Sequence, residues 1–125
     1  MIKCSTIPDV RVLTEDERQL LEWLLQHGTP AAAAYLHQLP SVSVVSRCSC
    51  GCPTMDLAVS GRAASLSSPT TILADACATS PEGIRVGIIV HGREGLISEL
   101  EVYSLAGEER FSLPRMRDIE SYDAA

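Results

Sequence analysis

Cys48, Cys50 and Cys52 stand at alternate positions in the run Arg47-Cys48-Ser49-Cys50-Gly51-Cys52-Pro53. Thiolates ligate soft metals, attack electrophilic carbon or exchange disulfides, and protonated thiols pack as small hydrophobes. Each role demands a different backbone. Zinc–sulfur bonds of ~2.3 Å in a tetrahedron put the sulfurs roughly 3.8 Å apart. In an extended strand, residues two apart are separated by ~6.6 Å and point the same way. A regular strand therefore keeps Cys48 and Cys50 from sharing one ion. Gly51 and Pro53 offer the means to fold the chain into a knuckle. The fourth zinc ligand would then be Cys77, Cys4 or His91, with His27 and His37 as further histidines.

The packing reading uses the same residues differently. A strand running on from Val42 places Val42, Val44, Cys48 and Cys50 on one face, with residues 51–53 as the following turn. A redox or nucleophilic thiol needs a neighbouring cation or histidine. Arg47 is adjacent, but consecutive strand residues face opposite ways, so His91 is the candidate. Glu99 and Glu101 share a strand face with Tyr103. Paired carboxylates do acid–base or metal work, yet a solvent-facing strand edge with Arg85 opposite explains them more simply. The glycines of His91-Gly92-Arg93-Glu94-Gly95 do not open a helix, so they make a poor phosphate cradle. His27 and His37 close helices and read as structural.

Composition bounds the surroundings of these groups. The chain has 125 residues, enough for one domain, 1–125. Net charge is −6. It divides after Arg62 into −1 (5 basic, 6 acidic) and −5 (5 basic, 10 acidic). This field repels phosphate, and aromatic residues are only 4%, so nucleic-acid binding is not expected. No apolar run reaches the ~18 residues of a membrane span. The N-terminal residues lack the apolar core of a signal peptide, and five cysteines is an odd count. The expectation is a cytoplasmic protein with reduced thiols.

The elements that must position the cysteines follow from periodicity. Thr14-Glu15-Asp16-Glu17 matches a capping box ahead of Leu20, Leu21, Leu24 and Leu25, which predicts a helix over 15–27 closed by Gly28. Thr29-Pro30 restarts the chain into a second helix over 30–38, ended by Pro40. The period then changes to 2. Strands are predicted at Val42–Val45, Met55–Val59, Thr70–Ala78, Ile84–Val90 and Leu96–Val102. The small polar stretch 61–69 is a loop, and the charged tail after 114 is expected to fray. Facing residues of an antiparallel pair share a face. That rule predicts Val90 opposite Leu96 and Val86 opposite Leu100, with a five-residue loop and Arg85 opposite Glu101. The expected architecture is α+β. An N-terminal helix pair packs on one face of a roughly five-stranded antiparallel meander spanning about 42–104.

Residues 47–57, Arg-Cys-Ser-Cys-Gly-Cys-Pro-Thr-Met-Asp-Leu, and 92–103, Gly-Arg-Glu-Gly-Leu-Ile-Ser-Glu-Leu-Glu-Val-Tyr, resemble a group of small bacterial proteins without an assigned function. The resemblance implies a single bacterial cytoplasmic domain and transfers no catalytic residue. The reading adopted from sequence is a small α+β binding domain without catalysis or cofactor. Its partner is a protein, a second copy or a small ligand; an acidic immunity-type protein facing a basic toxin is one version. The rival is a zinc or redox-thiol site at Cys48, Cys50 and Cys52. An open apolar patch of Ile89, Ile97 and Tyr103 would mark an interface.

Overall fold

Helix α1, Glu15–Gln26, begins where the capping box predicts. The Glu17 amide donates to Thr14 Oγ1 at 3.1 Å, and the Thr14 amide donates to Glu17 Oε1 at 2.8 Å. Leu20, Leu21, Leu24 and Leu25 are essentially inaccessible to solvent. Each such side chain contributes about 1.5–3 kcal/mol of burial free energy. Gly28 does end the helix region, but for a steric reason. A Cβ there would lie 2.2 Å from the Leu73 carbonyl oxygen. That carbonyl accepts the Thr29 amide at 2.9 Å, so the chain leaves the helix pressed against a strand.

The computed structural model describes residues 5–107 and 110–120. Its strands are β1 (Thr6–Val12), β2 (Val42–Cys48), β3 (Met55–Val59), β4 (Thr71–Thr79), β5 (Arg85–Arg93), β6 (Leu96–Ser104) and β7 (Ile119–Glu120). They form one sheet in the order β1-β2-β3-β6-β5-β4-β7, with every pair antiparallel. The α+β class is as expected, but the sheet has seven strands and is not a simple meander. Two three-stranded runs, β1-β2-β3 and β4-β5-β6, join where β3 pairs with β6.

Several expectations are corrected. The second helix is a 3₁₀ segment, Ala32–Ser41, that carries Pro40 within it. Thr29 supplies no side-chain cap, since the residue before this segment is Ala31. The i→i+3 bonding of a 3₁₀ turn tolerates a proline that the α-helical period places outside. Residues 1–13 are expected from sequence only as an entry segment docked by Val10, Val12 and Leu13. Instead Thr6–Val12 is strand β1, which contains Pro8 and leaves Val10 and Val12 exposed, and of those three only Leu13 packs against the core. Proline survives there because β1 is an edge strand. After residue 114 the chain forms a 3₁₀ turn, Met116–Asp118, and the edge strand β7.

The β5–β6 hairpin also differs. Val90 faces Leu100, Ile88 faces Val102 and Val86 faces Ser104. Its turn is the two-residue Glu94 and Gly95, with φ of 56° and 75°. Positive φ at both positions suits the twist of a tight hairpin. The parity rule that excludes a two-residue loop fails because Ser98 is a bulge between the pairs Gly92–Ile97 and His91–Glu99. Arg85 pairs with Glu120 at 3.3 Å instead of facing Glu101.

Bulges recur across the sheet. β2 shifts register between Val44 and Ser46, β4 between Ile72 and Ala74, and β1 between Pro8 and Arg11. Each lets neighbouring stretches of a strand present opposite faces. Val44, Leu57, Ile88, Val90, Ile97, Leu100 and Val102 share one core cluster with the α1 leucines. Ser46, Asp56, Ile89, His91, Glu99 and Glu101 belong to the alternate set. Strand β3 is buried at every residue because it lies between β2 and β6. Ile97 is fully buried, so Ile89, Ile97 and Tyr103 form no open apolar patch.

Candidate functional site

The chain does not run on as a strand through Cys50. β2 ends at Cys48, and Ser49 and Cys50 turn the backbone. Gly51 has φ 93°, a conformation that glycine adopts without steric cost. Its amide donates to the Cys48 carbonyl at 3.4 Å, and the Cys48 amide donates to the Thr54 carbonyl at 3.2 Å. The turn is also tied to β1. The Ser49 amide donates to the Ser5 carbonyl at 2.9 Å, and the Ser5 and Ser49 hydroxyls lie 2.9 Å apart.

The consequence is convergence of three sulfurs. The Sγ atoms of Cys48, Cys50 and Cys52 lie within 4.8 Å of one another, with Cys48 and Cys50 at 3.1 Å. The extended-strand geometry would have held those two ~6.6 Å apart. Sulfurs held within 4.8 Å of one another are close enough to approach the roughly 3.8 Å spacing around a thiolate-bound zinc ion, so the donor set fits a soft metal. The Cys52 amide donates to Cys50 Sγ at 3.4 Å, which fixes the orientation of that sulfur.

The proposed fourth ligands do not join this group among the described residues. Cys77 lies in β4, four strands along the sheet from β2 at about 4.8 Å each. His91 sits instead with Glu99 and Glu101. His27 stacks on Trp23 with ring centroids 4.1 Å apart, its Nδ1 2.8 Å from the Trp23 carbonyl oxygen. His37 is exposed in the 3₁₀ segment. Cys4 falls outside the described residues.

Cys48 and Cys52 open onto a cavity of about 410 Å³. Thr6, Thr54, Asp56, His91, Arg93, Glu99, Glu101 and Tyr103 also line it. These residues come from five neighbouring strands, β1-β2-β3-β6-β5, and the turn between β2 and β3. The bulge in β2 sets Ser46 against Asp56, after Val44 against Leu57 in the core. The Ser98 bulge in β6 likewise places Ile97 in the core and Glu99 at the cavity. Glu99 is therefore not on a solvent-facing edge; it is 5% exposed. Arg93, 7% exposed, reaches it, with Nη1 donating to Glu99 Oε1 at 3.3 Å and to Ser98 Oγ at 3.0 Å. His91 Nε2 lies 2.8 Å from Glu101 Oε1. Asp56 Oδ2 accepts the Ser46 hydroxyl at 2.8 Å. Two buried polar atoms, His91 Nδ1 and Arg93 Nε, have no hydrogen-bond partner among the described residues.

Sequence reasoning named the sulfur end of this cavity and missed Asp56 and Arg93. Alternation places both on the face opposite the core, but it does not say which strands lie beside them, and that non-local pairing is what brings them to the cavity. No family model, curated protein or solved structure matches the chain. The functional argument therefore rests on geometry alone. No helix among the described residues is long and apolar enough to cross a membrane.

Proposed function

We propose that this chain is a small binding domain whose ligand includes a thiophilic metal ion, zinc as the reference case, held by Cys48, Cys50 and Cys52. The observation that carries the reading is the convergence of the three sulfurs at a turn closed by Gly51. A packing role for the cysteines requires no such convergence. The ion's remaining coordination position faces the cavity or takes a further ligand, for which Cys4 is the sequence candidate. An open coordination position beside a polar cavity suits binding of a small exogenous ligand. The α1 leucines join the core cluster of the sheet, whereas the cavity is lined by the alternate set of strand residues. Reduced thiols agree with a cytoplasmic setting. The acidic net charge favours a basic protein partner over nucleic acid.

A second reading takes the 3.1 Å contact of Cys48 and Cys50 as a thiol pair poised to form a disulfide. Elemental analysis with thiol titration on native protein purified under reducing conditions separates the two. Stoichiometric zinc that is lost in Cys50→Ser supports the metal reading. Metal-free protein that loses two titratable thiols on mild oxidation supports the redox pair. Metal-free protein whose thiols react only after unfolding rejects both. Comparing Cys4→Ser with wild type tells whether that residue contributes.

A further inference from the structure

The cavity has a second cluster of donors that the cysteine reading does not use. One ring nitrogen of His91 and one oxygen each of Glu99 and Glu101 lie within 4.8 Å of one another. We propose that His91, Glu99 and Glu101 form a second cation site, chemically distinct from the thiolates, for a divalent ion of the Mn²⁺ or Fe²⁺ class.

Charge is the first argument. Asp56, Glu99 and Glu101 bring three carboxylates to the cavity lining, and Asp56 and Glu99 face each other directly across β3 and β6. Like charges opposite one another on paired strands destabilise the sheet. Arg93 is the one buried guanidinium beside them; Arg47, the other cation lining the cavity, is exposed. Asp56 and Glu99 are buried and Glu101 is half-buried against one buried guanidinium, so the lining carries an excess of carboxylates that a divalent ion neutralises.

The unpartnered atoms are the second and independent argument. An ionised carboxylate only accepts hydrogen bonds, so the 2.8 Å contact makes His91 Nε2 the donor to Glu101. The neutral ring then carries its lone pair on Nδ1, which is buried with no partner. An ion that bridges Nε2 and Glu101 takes the place of that hydrogen bond and moves the ring proton to Nδ1, so that His91, Glu101 and Glu99 reach one ion together. Arg93 is more than nine-tenths buried, lines the cavity, and leaves Nε without a partner. That N–H calls for an oxygen acceptor in the cavity, which a water or oxygen ligand on the cation provides. Meanwhile Arg93 Nη1 holds one oxygen of Glu99, an outer-shell restraint on that carboxylate.

The donor set differs from the sulfur end. One nitrogen and two carboxylates accept harder ions, whereas thiolates select soft ones. Mn²⁺ is therefore the probe, because it discriminates against the cysteines. Mn²⁺ is titrated into full-length protein under reducing conditions, and the free ion is followed by its electron paramagnetic resonance signal. The expected result is stoichiometric uptake by wild type and by Cys50→Ser alike. His91→Ala and the near-isosteric Glu101→Gln should each weaken uptake tenfold or more, with circular dichroism showing that both remain folded. Mn²⁺ that stays free in wild type would overturn the proposal, as would unchanged binding by a folded Glu101→Gln. Loss of binding in Cys50→Ser would also overturn it, by making the two clusters one site. The cysteine reading is tested separately by zinc content, so either can fail alone.

Discussion

The two ends of the cavity are built in opposite ways. At the sulfur end, three donors come from five consecutive residues, and one turn around Gly51 brings them together. At the other end, His91 comes from β5 and Glu99 and Glu101 from β6. Their positions depend on strand pairing, on the two-residue turn at Glu94 and Gly95, and on the bulge at Ser98. The first cluster is local and needs only its turn. The second is a product of register and needs the whole hairpin. A local cluster tolerates changes elsewhere in the sheet, whereas a register-built one fails when the pairing or its buried charges are disturbed.

The largest expected effect tests that difference. Glu99→Leu removes the carboxylate that Arg93 contacts and leaves its guanidinium buried without an ionic partner. Breaking a buried pair in this way costs about 3–5 kcal/mol, readable by urea denaturation. The sulfur end should keep its zinc in the fraction that stays folded. Zinc loss from folded Glu99→Leu protein would break the contrast. Next in size, Cys52→Ser should weaken zinc binding by more than the ~10–100-fold that an outer-shell loss costs, while leaving the β5–β6 hairpin intact by amide hydrogen exchange.

This contrast also explains how much was legible in the sequence. The capping box at Thr14 and Glu17, the leucine stripe of α1 and the alternation of β5 each depend on neighbours a few residues away. All three are present where local patterning predicts them. The cysteine triplet was visible as a candidate site for the same reason. Strand β1 was not visible, because Pro8 and two exposed valines carry no inward pattern; its pairing with β2 is non-local, and an ion pair adds to it. Arg11 clamps both oxygens of Glu17 at 2.8 and 2.9 Å. Glu99 does lie on the face shared with Glu101, but it was misread as solvent-facing because Arg93 and the neighbouring strand β3 cover it, while the bulge at Ser98 puts Ile97 into the core. Bulges depend on non-local pairing, and a period-2 reading has no means to detect them.

Smaller perturbations sharpen the comparison by sparing both ends. Thr14→Ala removes the cap from α1 and should cost about 1 kcal/mol in thermal or chemical denaturation, with zinc and Mn²⁺ affinities unchanged. Glu17 of the same box gives a pH dependence. Burial pushes its carboxyl up, but the hydrogen bonds from Arg11 and Thr14 and the Arg11 charge outweigh this and hold it below the ordinary value. A depressed carboxyl stabilises the fold above its unfolded pKa, and that contribution is lost as pH falls through the folded value. Glu17→Gln should therefore flatten the acid limb of a stability–pH profile.

The mildest effect concerns Glu82, whose carboxylate accepts the Ser112 hydroxyl at 2.6 Å and the Ser112 amide at 3.0 Å. These bonds lower its pKa to about 2. A carbon-detected NMR titration should show Glu82 ionised well below the other exposed glutamates. The contact between residues 82 and 112 should persist until that pH is approached. A midpoint in the ordinary glutamate range would contradict the hydrogen-bonded geometry.

The division of the cavity into a sulfur end and a nitrogen–oxygen end is tested most directly by zinc-edge X-ray absorption. The sample is the full chain, purified under reducing conditions and loaded with equimolar zinc. The account predicts a first shell dominated by three sulfur scatterers at about 2.3 Å. A first shell of only nitrogen and oxygen at about 2.0–2.1 Å, or protein that retains no zinc, would contradict it.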